Sequence, residues 1–508
     1  MNVLNFVLAL GPILYLIVAL MGFKQAAWKA AIGAAVVAAL EALLYWNTPA
    51  SVVGLSALEG ICMALWPIVL VIVAAVFTYN LVCDTGGMKV IQSMLTSVSS
   101  DRRILVLLVA WCFGGFMEGM AGFGTAIAIP AGLLVSLGFP PLFSCMVCLL
   151  SNGFPTPWGS IGIPTVTVAD LVGFSSTNAL SVMQTMQVCI FMIIIPFLLV
   201  MLTGKSVKAV KGVFGLTLAS GLAFVIPMFV VSQFVGAELV MVVASVCSLA
   251  VTILMAKRLK PNPEYEVEGI EKENVSVNGA LVACAPFILI FVFLLLTSKL
   301  IPPVNAFLSQ FSTTVYFVNP ESGTTFSWIN TPGVWIFLSA LIGGMIQKAS
   351  GSQMWKVFKA TLKQMSGSII VMLAVLAAAK IMIYSGMIGE IAAFAIAVMG
   401  GAYPIIAPWL GALGTFVTGS GTSSGVLFGQ VQYDAAMALG MNPAWMVSLN
   451  ALGVGVGKML APQSVAIALS AVGGLKEDSK LLKMVLPYGA VFLLMASVIA
   501  GIGILFFA

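Results

Sequence analysis

Two stretches of this chain interrupt long apolar sequence with the same helix breakers at the same spacing, and that pairing limits what the chain can fold into. The first runs Gly122-Phe123-Gly124-Thr125 and continues to Asn152, Gly159 and Pro164. The second runs Gly419-Ser420-Gly421-Thr422 and continues to Asn450, Gly457 and Pro462. In both, a glycine follows the asparagine by seven positions and a proline follows that glycine by five. These residue types interrupt helices, and an interrupted helix in hydrocarbon leaves backbone groups unpaired at several kcal/mol each. Such breaks persist where they line a polar cavity. Matching breaks in two halves of one chain point to the substrate site of a secondary transporter.

The surrounding sequence is a membrane sequence. Apolar residues make up 61% of 508 and charged residues 8%, against roughly 25% charged in soluble domains. Segments 61–82, 182–203, 213–231, 281–300 and 484–507 are each long enough to cross about 30 Å of hydrocarbon. The alternating short strands of an outer-membrane barrel are absent. The first apolar stretch, 3–22, has no basic region before it and no small-residue cleavage site after it, so it reads as a retained span. There is no histidine, no phosphate-binding glycine loop with its lysine and no ATPase-sized soluble region, which excludes the usual metal chemistry and direct ATP drive. The eight cysteines lie in or beside apolar runs and read as small hydrophobes, Cys145 and Cys148 included; no metal or cofactor is expected. Nothing suggests a nucleic-acid partner.

The basic residues set the topology. Nineteen of the 22 Lys and Arg fall on one face, beginning with Lys24 and Lys29 after the first span. That face is cytoplasmic by the positive-inside rule, and both termini lie outside. Segment 85–103 is basic and cytoplasmic, whereas 385–403 has no Lys or Arg and lies outside, although both open with similar turns, Thr85-Gly86-Gly87-Met88 and Ser385-Gly386-Met387. Beyond the signatures the sides swap again: 165–181 lacks basic residues and 474–483 has three. The halves are therefore expected to be inverted repeats. Repeat one covers 1–212 with its signature at 113–164, and repeat two covers 279–508 with its signature at 411–464. Region 213–278 supplies two connecting spans and a solvated cytoplasmic linker carrying Glu264, Glu266, Glu268, Glu271 and Glu273. The expected fold is an all-α polytopic membrane protein of two inverted-topology repeats, with re-entrant hairpins and broken helices and roughly 12–14 membrane elements.

Several polar residues stand inside this apolar sequence. Glu118 lies among Gly114, Gly115, Gly119 and Gly122. A carboxylate there costs about 2.5–3.5 kcal/mol on insertion scales unless paired, hydrated or protonated, which suits a proton carrier. The plainer alternative is a salt bridge to another span. Lys458 lies between Gly453, Gly455, Gly457 and the break at Pro462, followed by Gln463 and Ser464. A fixed cation beside exposed backbone N–H groups would attract a small carboxylate, and Gln463 and Ser464 offer hydrogen bonds for a hydroxyl. Alternatively, Lys458 only neutralises Glu118. Thr418, Ser420, Thr422, Ser423 and Ser424 cluster around Gly419 and Gly421 as a polar hairpin tip. Any single hydroxyl among them is better explained by a bond back to a helix carbonyl. Gly122, Gly124, Thr125 and Asn152 are the first-half counterparts. Lys380, followed by Tyr384, either snorkels outward or takes part in binding; Asp170 and Asp434 are weaker candidates.

Taken together, these motifs resemble the lactate permease family, which also includes glycolate permeases. The resemblance is carried by Phe113-Gly114-Gly115-Phe116-Met117-Glu118-Gly119-Met120-Ala121-Gly122-Phe123-Gly124, by Ala64-Leu65-Trp66-Pro67-Ile68-Val69 and by Leu137-Gly138-Phe139-Pro140. Gly162-Ile163-Pro164, Tyr384-Ser385-Gly386, Thr418-Gly419-Ser420, Thr422-Ser423-Ser424, Gly457-Lys458-Met459 and Pro462-Gln463-Ser464 extend it along the chain. It implies a bacterial inner-membrane carrier importing L-lactate, D-lactate or glycolate with protons, expected as a homodimer. The chain departs from the family pattern at Gly421, where members commonly carry an acidic residue, at Gly425, where they carry asparagine, and at Lys380.

The function expected is proton symport of short 2-hydroxymonocarboxylates. Lys458 would bind the carboxylate, Gln463, Ser464 and the 418–424 hydroxyls the rest of the substrate, and Glu118 the proton. Alternatives are a sodium-coupled organic anion carrier, with the cation near Asn152 and Asn450, and an anion channel. An intramembrane enzyme would need a nucleophile–base pair or metal cluster that the sequence does not supply. Paired hairpins favour an elevator over a rocking motion.

Overall fold

The computed structural model describes residues 3–122, 124–259, 262–267, 276–298, 300–318, 320, 323–473 and 475–507. Phe123 of the first signature, the linker residues Lys260, Glu268, Glu271, Lys272 and Glu273, and Lys299 lie outside the described residues. Among the described residues the chain is almost wholly helical. Nine helices are long and apolar enough to cross a membrane, or up to eleven counting two bent pairs as single spans. This is a multi-pass helical membrane protein. Its departure from an all-helical fold is a short antiparallel hairpin, Ser312–Val315 with Thr324–Ser327, whose Ser327 carbonyl accepts a 2.7 Å bond from Trp66 Nε1.

Each signature folds as a hairpin followed by a broken helix. In the first, the helix ending in Gly114–Met120 stops at Ala121 and Gly122, and Thr125–Ser136, capped by Gly124, packs back along it. Pro141–Asn152 then returns, stops at Gly153, and gives way through a short turn at Thr156–Trp158 to Gly159–Val172. In the second, Ala407–Thr418 turns at Gly419 and Ser420 into Gly421–Leu439, which packs back along it. Pro443–Leu460 follows, breaks at Ala461 with a 46° bend, and continues as Pro462–Ala471. The bend has a local cause. Pro462 has no N–H to donate to the helix and its ring disfavours α geometry at the residue before it, and Ala461 is accordingly extended, at φ −60° and ψ 128°.

The two signatures interlock reciprocally. The second arm of the second hairpin, Gly421–Leu439, packs on Gly159–Val172, the latter part of the first broken helix. The second arm of the first hairpin, Thr125–Ser136, packs on Pro462–Ala471, the latter part of the second. Contacts are close because the facing residues are small: Gly425 and Gly429 meet Val168, and Gly132 meets the Ala471 carbonyl. Without hydrophobic drive between helices in lipid, such close backbone approach is what holds a bundle together. Thr85-Gly86-Gly87 and Ser385-Gly386-Met387 also match in conformation, with Gly86 at φ 80° and Gly386 at φ 85°, each starting a helix.

Around the signatures stands a frame of longer spans. Ala50–Met63, continuing through Ala64–Val69 to Leu70–Asp84, packs on the 34-residue helix Gly351–Tyr384. That helix also packs on Ala27–Leu44 and Gly421–Leu439.

Candidate substrate-binding site

Both helix breaks and both hairpin tips reach one cavity of about 400 Å³. Glu118, Thr125, Gly159 and Ser160 line it from the first signature, and Thr418–Ser423, Lys458 and Gln463 from the second. The tip of the first hairpin is tied to its own broken helix: Ser160 Oγ donates to the Ala121 carbonyl at 2.7 Å. Ser160, Ile161 and Gly162 form a left-handed turn with φ of 45°, 59° and 75°. Such a run costs on the order of 1–2 kcal/mol per non-glycine residue and survives only where surrounding contacts enforce it. Gly122, at φ 57°, leaves room for the Ser160 hydroxyl where a Cβ would clash.

The two charges sit on opposing elements. Glu118 is 3% exposed and its Oε2 accepts from Asn152 Nδ2 at 2.8 Å, while its Oε1 lies over Gly159. Lys458 is 6% exposed and its Nζ donates to the Gly419 carbonyl at 2.9 Å. The carboxylate and ammonium interact electrostatically but form no direct ion pair. Glu118 is thus presented by an asparagine at the first helix break, and Lys458 by a hairpin tip that it also braces. An ammonium has three donors, and the Gly419 carbonyl is the partner of Lys458 among the described residues, so donor capacity remains for a ligand.

The hydroxyl cluster divides in two. Thr418 donates to the Gly414 carbonyl at 2.7 Å, Ser420 caps the next helix by accepting from the Ser423 amide at 3.2 Å, and Ser424 donates to the Gly411 carbonyl at 2.8 Å. Thr125 likewise donates to the Gly122 carbonyl at 2.7 Å. Those four side chains build the tips. Thr125, Thr418 and Ser420 line the cavity while bonded in this way; Thr422 and Ser423 line it too, and the Ser423 hydroxyl is buried without a partner. Gln463 is on the cavity wall beside Gly419.

Other predicted residues lie elsewhere. Ser464 is buried behind the wall and its hydroxyl has no partner; Gly124 packs on Ile467. Lys380 and Tyr384 do not line this cavity: Lys380 pairs with Glu59 at 2.8 Å, with the Tyr384 ring 5.8 Å from its nitrogen. Sequence reading missed the wall contributed by the frame, namely Trp28 and Gln364, Gly367 and Ser368. The signal for it was present as small and polar residues one turn apart at the entry to a long apolar run.

A family comparison bears on this geometry. The model of the L-lactate permease family matches residues 5–507. The chain belongs to the L-lactate permease family. Among relatives of this family, the L-lactate permease of Streptococcus iniae is 43% identical over 444 residues, covering 87% of this chain and 93% of its own length. The glycolate permease GlcA of Escherichia coli K12 is 30% identical over 544 residues, covering 99% of this chain and 95% of its own. The solved Alcanivorax borkumensis YdaH transporter aligns over 91% of this chain and 89% of its own, at 17% identity and a TM-score of 0.48. The two glycines expected to depart from the family pattern are tightly packed. At Gly421 the space for a side chain is taken by the Thr156 methyl and Val454, and at Gly425 by Val168. An acidic side chain at Gly421 would therefore require those neighbours to shift.

Proposed function

We propose that this family member is a secondary carrier for short 2-hydroxymonocarboxylates, lactate and glycolate foremost, moving them with protons across a bacterial inner membrane. The observation that carries the reading is one cavity holding one buried ammonium and one buried carboxylate that are not directly paired. Empty, these charges sum to zero. A bound carboxylate leaves one net negative charge in a low-dielectric site, and a proton on Glu118 restores neutrality. Because an uncompensated buried charge is far costlier than a neutral load, substrate and proton travel together. Lys458 holds the carboxylate, Thr422, Ser423 and Gln463 take the hydroxyl, and Asn152 keeps Glu118 in place. The names of the relatives, lactate and glycolate permeases, agree with a cavity of this size and charge.

The two halves, 1–212 and 279–508, are read as inverted repeats joined by 213–278, and the reciprocal hairpin packing supports that. With Lys24, Lys29, Lys356, Lys359 and Lys363 cytoplasmic, the cavity wall at Trp28 and Gln364 lies toward the cytoplasm. On this reading the conformation is inward-facing, with both termini outside. Transport moves the signature elements against the frame as an elevator, in a homodimer.

A second reading has its own observation: the Oδ1 atoms of Asn152, at the first break, and of Asn450, within Pro443–Leu460, are buried without partners and could serve a sodium ion. Uptake of labelled L-lactate, D-lactate and glycolate into proteoliposomes under imposed proton or sodium gradients decides between them. Accumulation driven by acid outside and abolished by a protonophore supports proton coupling. Accumulation that follows sodium alone supports the second reading, and conductance without accumulation would make the protein a channel.

A further inference from the structure

The buried ion pair between Glu59 and Lys380 is not used by the cavity just described, and Lys380 lies beyond it on a helix that lines it. Glu59 is 4% exposed and Lys380 8%. Lys380 Nζ reaches Glu59 Oε1 at 2.8 Å, and the same oxygen accepts from Thr324 of the β-hairpin at 2.9 Å. Glu59 Oε2 is buried and makes no bond of ordinary hydrogen-bond length, with Tyr384 the further polar neighbour of the carboxylate. A pair held through one carboxylate oxygen, with the other unsatisfied, is not the closed network expected of a purely structural buried ion pair.

Its position relative to two cavities matters more. A second cavity of about 370 Å³ lies among the loops assigned to the outside, lined by Asp170, Asn178, Glu238, Ser327 and Thr331. One helix runs from one cavity to the other, and a second leaves the substrate cavity in the same direction. Gly159–Val172 lines the substrate cavity at Pro164 and the outer one at Asp170, about 9 Å farther along. Gly351–Tyr384 lines the substrate cavity at Met372, and Lys380 follows about 12 Å farther toward the outside. Lys380 also interacts electrostatically with Asp170 of the outer cavity. Glu59 and Lys380 thus stand between the two cavities, bridging two frame helices in close contact, where Gly60 meets the Leu376 carbonyl.

We propose that the Glu59–Lys380 pair is the outer gate of the transport path and that Lys380 is its anion-receiving half: an entering carboxylate exchanges with Glu59 on the Lys380 ammonium and so opens the partition. This rests on the carrier reading for its substrate, but the gate itself does not depend on which anion is carried. Lys380 supplies the attraction that draws an anion past Asp170 and Glu238, which would otherwise repel it. Glu59 supplies the closure in the anion's absence.

The test uses a variant lacking the eight native cysteines and carrying Ser368→Cys in the substrate cavity, probed in right-side-out vesicles with a membrane-impermeant cationic thiol reagent. With the native pair, labelling from outside is slow. Glu59→Gln, and independently Lys380→Gln, each raise the outside labelling rate by about tenfold or more, the equivalent of losing one charged hydrogen bond. The swapped double variant E59K/K380E restores slow labelling. Unchanged labelling in both single variants, or a swap that labels as fast as they do, overturns the proposal, as would loss of charge that leaves the pair merely a helix fastener. Lactate kinetics form a separate arm: Lys380→Gln raises the external KM about tenfold and leaves the KM for efflux from the cytoplasmic side unchanged. An equal rise on both sides contradicts an outer role for Lys380. Labelling that responds in a protein that moves no lactate keeps the gate and refutes the substrate reading.

Discussion

Lys458 Nζ donates to the carbonyl oxygen of Gly419 at 2.9 Å, so the cation on the second broken helix is seated on the tip of the hairpin before it. The tip carbonyl is available because Gly419 turns the chain at φ 66°, a conformation that leaves no room for a side chain beside Gln463. One contact therefore shapes the hairpin and aims the ammonium at the cavity.

Removing that cation separates binding from folding. Lys458→Ala loses a charged hydrogen bond to substrate and is expected to weaken lactate binding by about tenfold to a hundredfold. Calorimetric titration of the purified protein reads this directly. Lys458→Gln, which can still donate to Gly419, keeps the tip and shows the same loss.

Glu118→Gln is isosteric and neutral, and its side chain retains an oxygen that can accept from Asn152, whose bond to Glu118 is 2.8 Å. With no titratable group left, the variant is locked in the loaded charge state. Exchange of labelled for unlabelled lactate at equal pH persists, while uphill accumulation on an acid-outside gradient disappears. Counterflow and gradient-driven uptake measured on the same proteoliposomes check both halves.

Glycine packing gives a contrast within one protein. A Cβ on Gly453 would collide with the Pro408 carbonyl between Ala407–Thr418 and Pro443–Leu460, whereas one on Gly389 meets nothing within 4 Å. Gly453→Ala should destabilise by about 1–3 kcal/mol through overpacking. Gly389→Ala should be neutral or stabilise by about 0.5–1 kcal/mol through helix propensity. The thermal midpoint in detergent should fall for Gly453→Ala and hold or rise for Gly389→Ala.

Arg103 is a stability anchor away from the site. It is 2% exposed, pairs with Asp101 at 2.6 Å, donates to the carbonyls of Ala209 and Lys211 and stacks over Tyr265 at 4.0 Å. Arg103→Ala strands Asp101 and two carbonyls, at about 3–5 kcal/mol for breaking such a buried pair. A large fall in thermal midpoint is expected, with lactate affinity unchanged in the folded fraction.

The parts legible in the sequence were those whose chemistry conflicts with lipid. Glu118 and Lys458 stand out because a charge in an apolar run demands an explanation, and the breaks at Asn152 and Pro462 because helices in hydrocarbon are otherwise continuous. The hydroxyl cluster was legible only as a group. Which of its members bond back into the tip depends on backbone direction at Gly419, and periodicity carries no record of that. Lys380 was visible but its partner was not: Glu59 precedes the apolar stretch 61–82, and the two meet only where Gly351–Tyr384 packs on Ala50–Met63. Gln364 and Ser368 share a helix with Lys356, Lys359 and Lys363, whose cytoplasmic charges masked a cavity wall. The β-hairpin docks through its second strand, Thr324–Ser327, on Trp66 and Glu59, distant in sequence.

A cryo-EM structure determined in lipid nanodiscs with saturating L-lactate tests the central claim most directly. The account predicts substrate density in the cavity between the two hairpin tips, its carboxylate about 2.8 Å from Lys458 Nζ, as charge-assisted bonds require, with Glu118 close by. Lactate bound elsewhere, or in that cavity with its carboxylate turned away from Lys458, would contradict it.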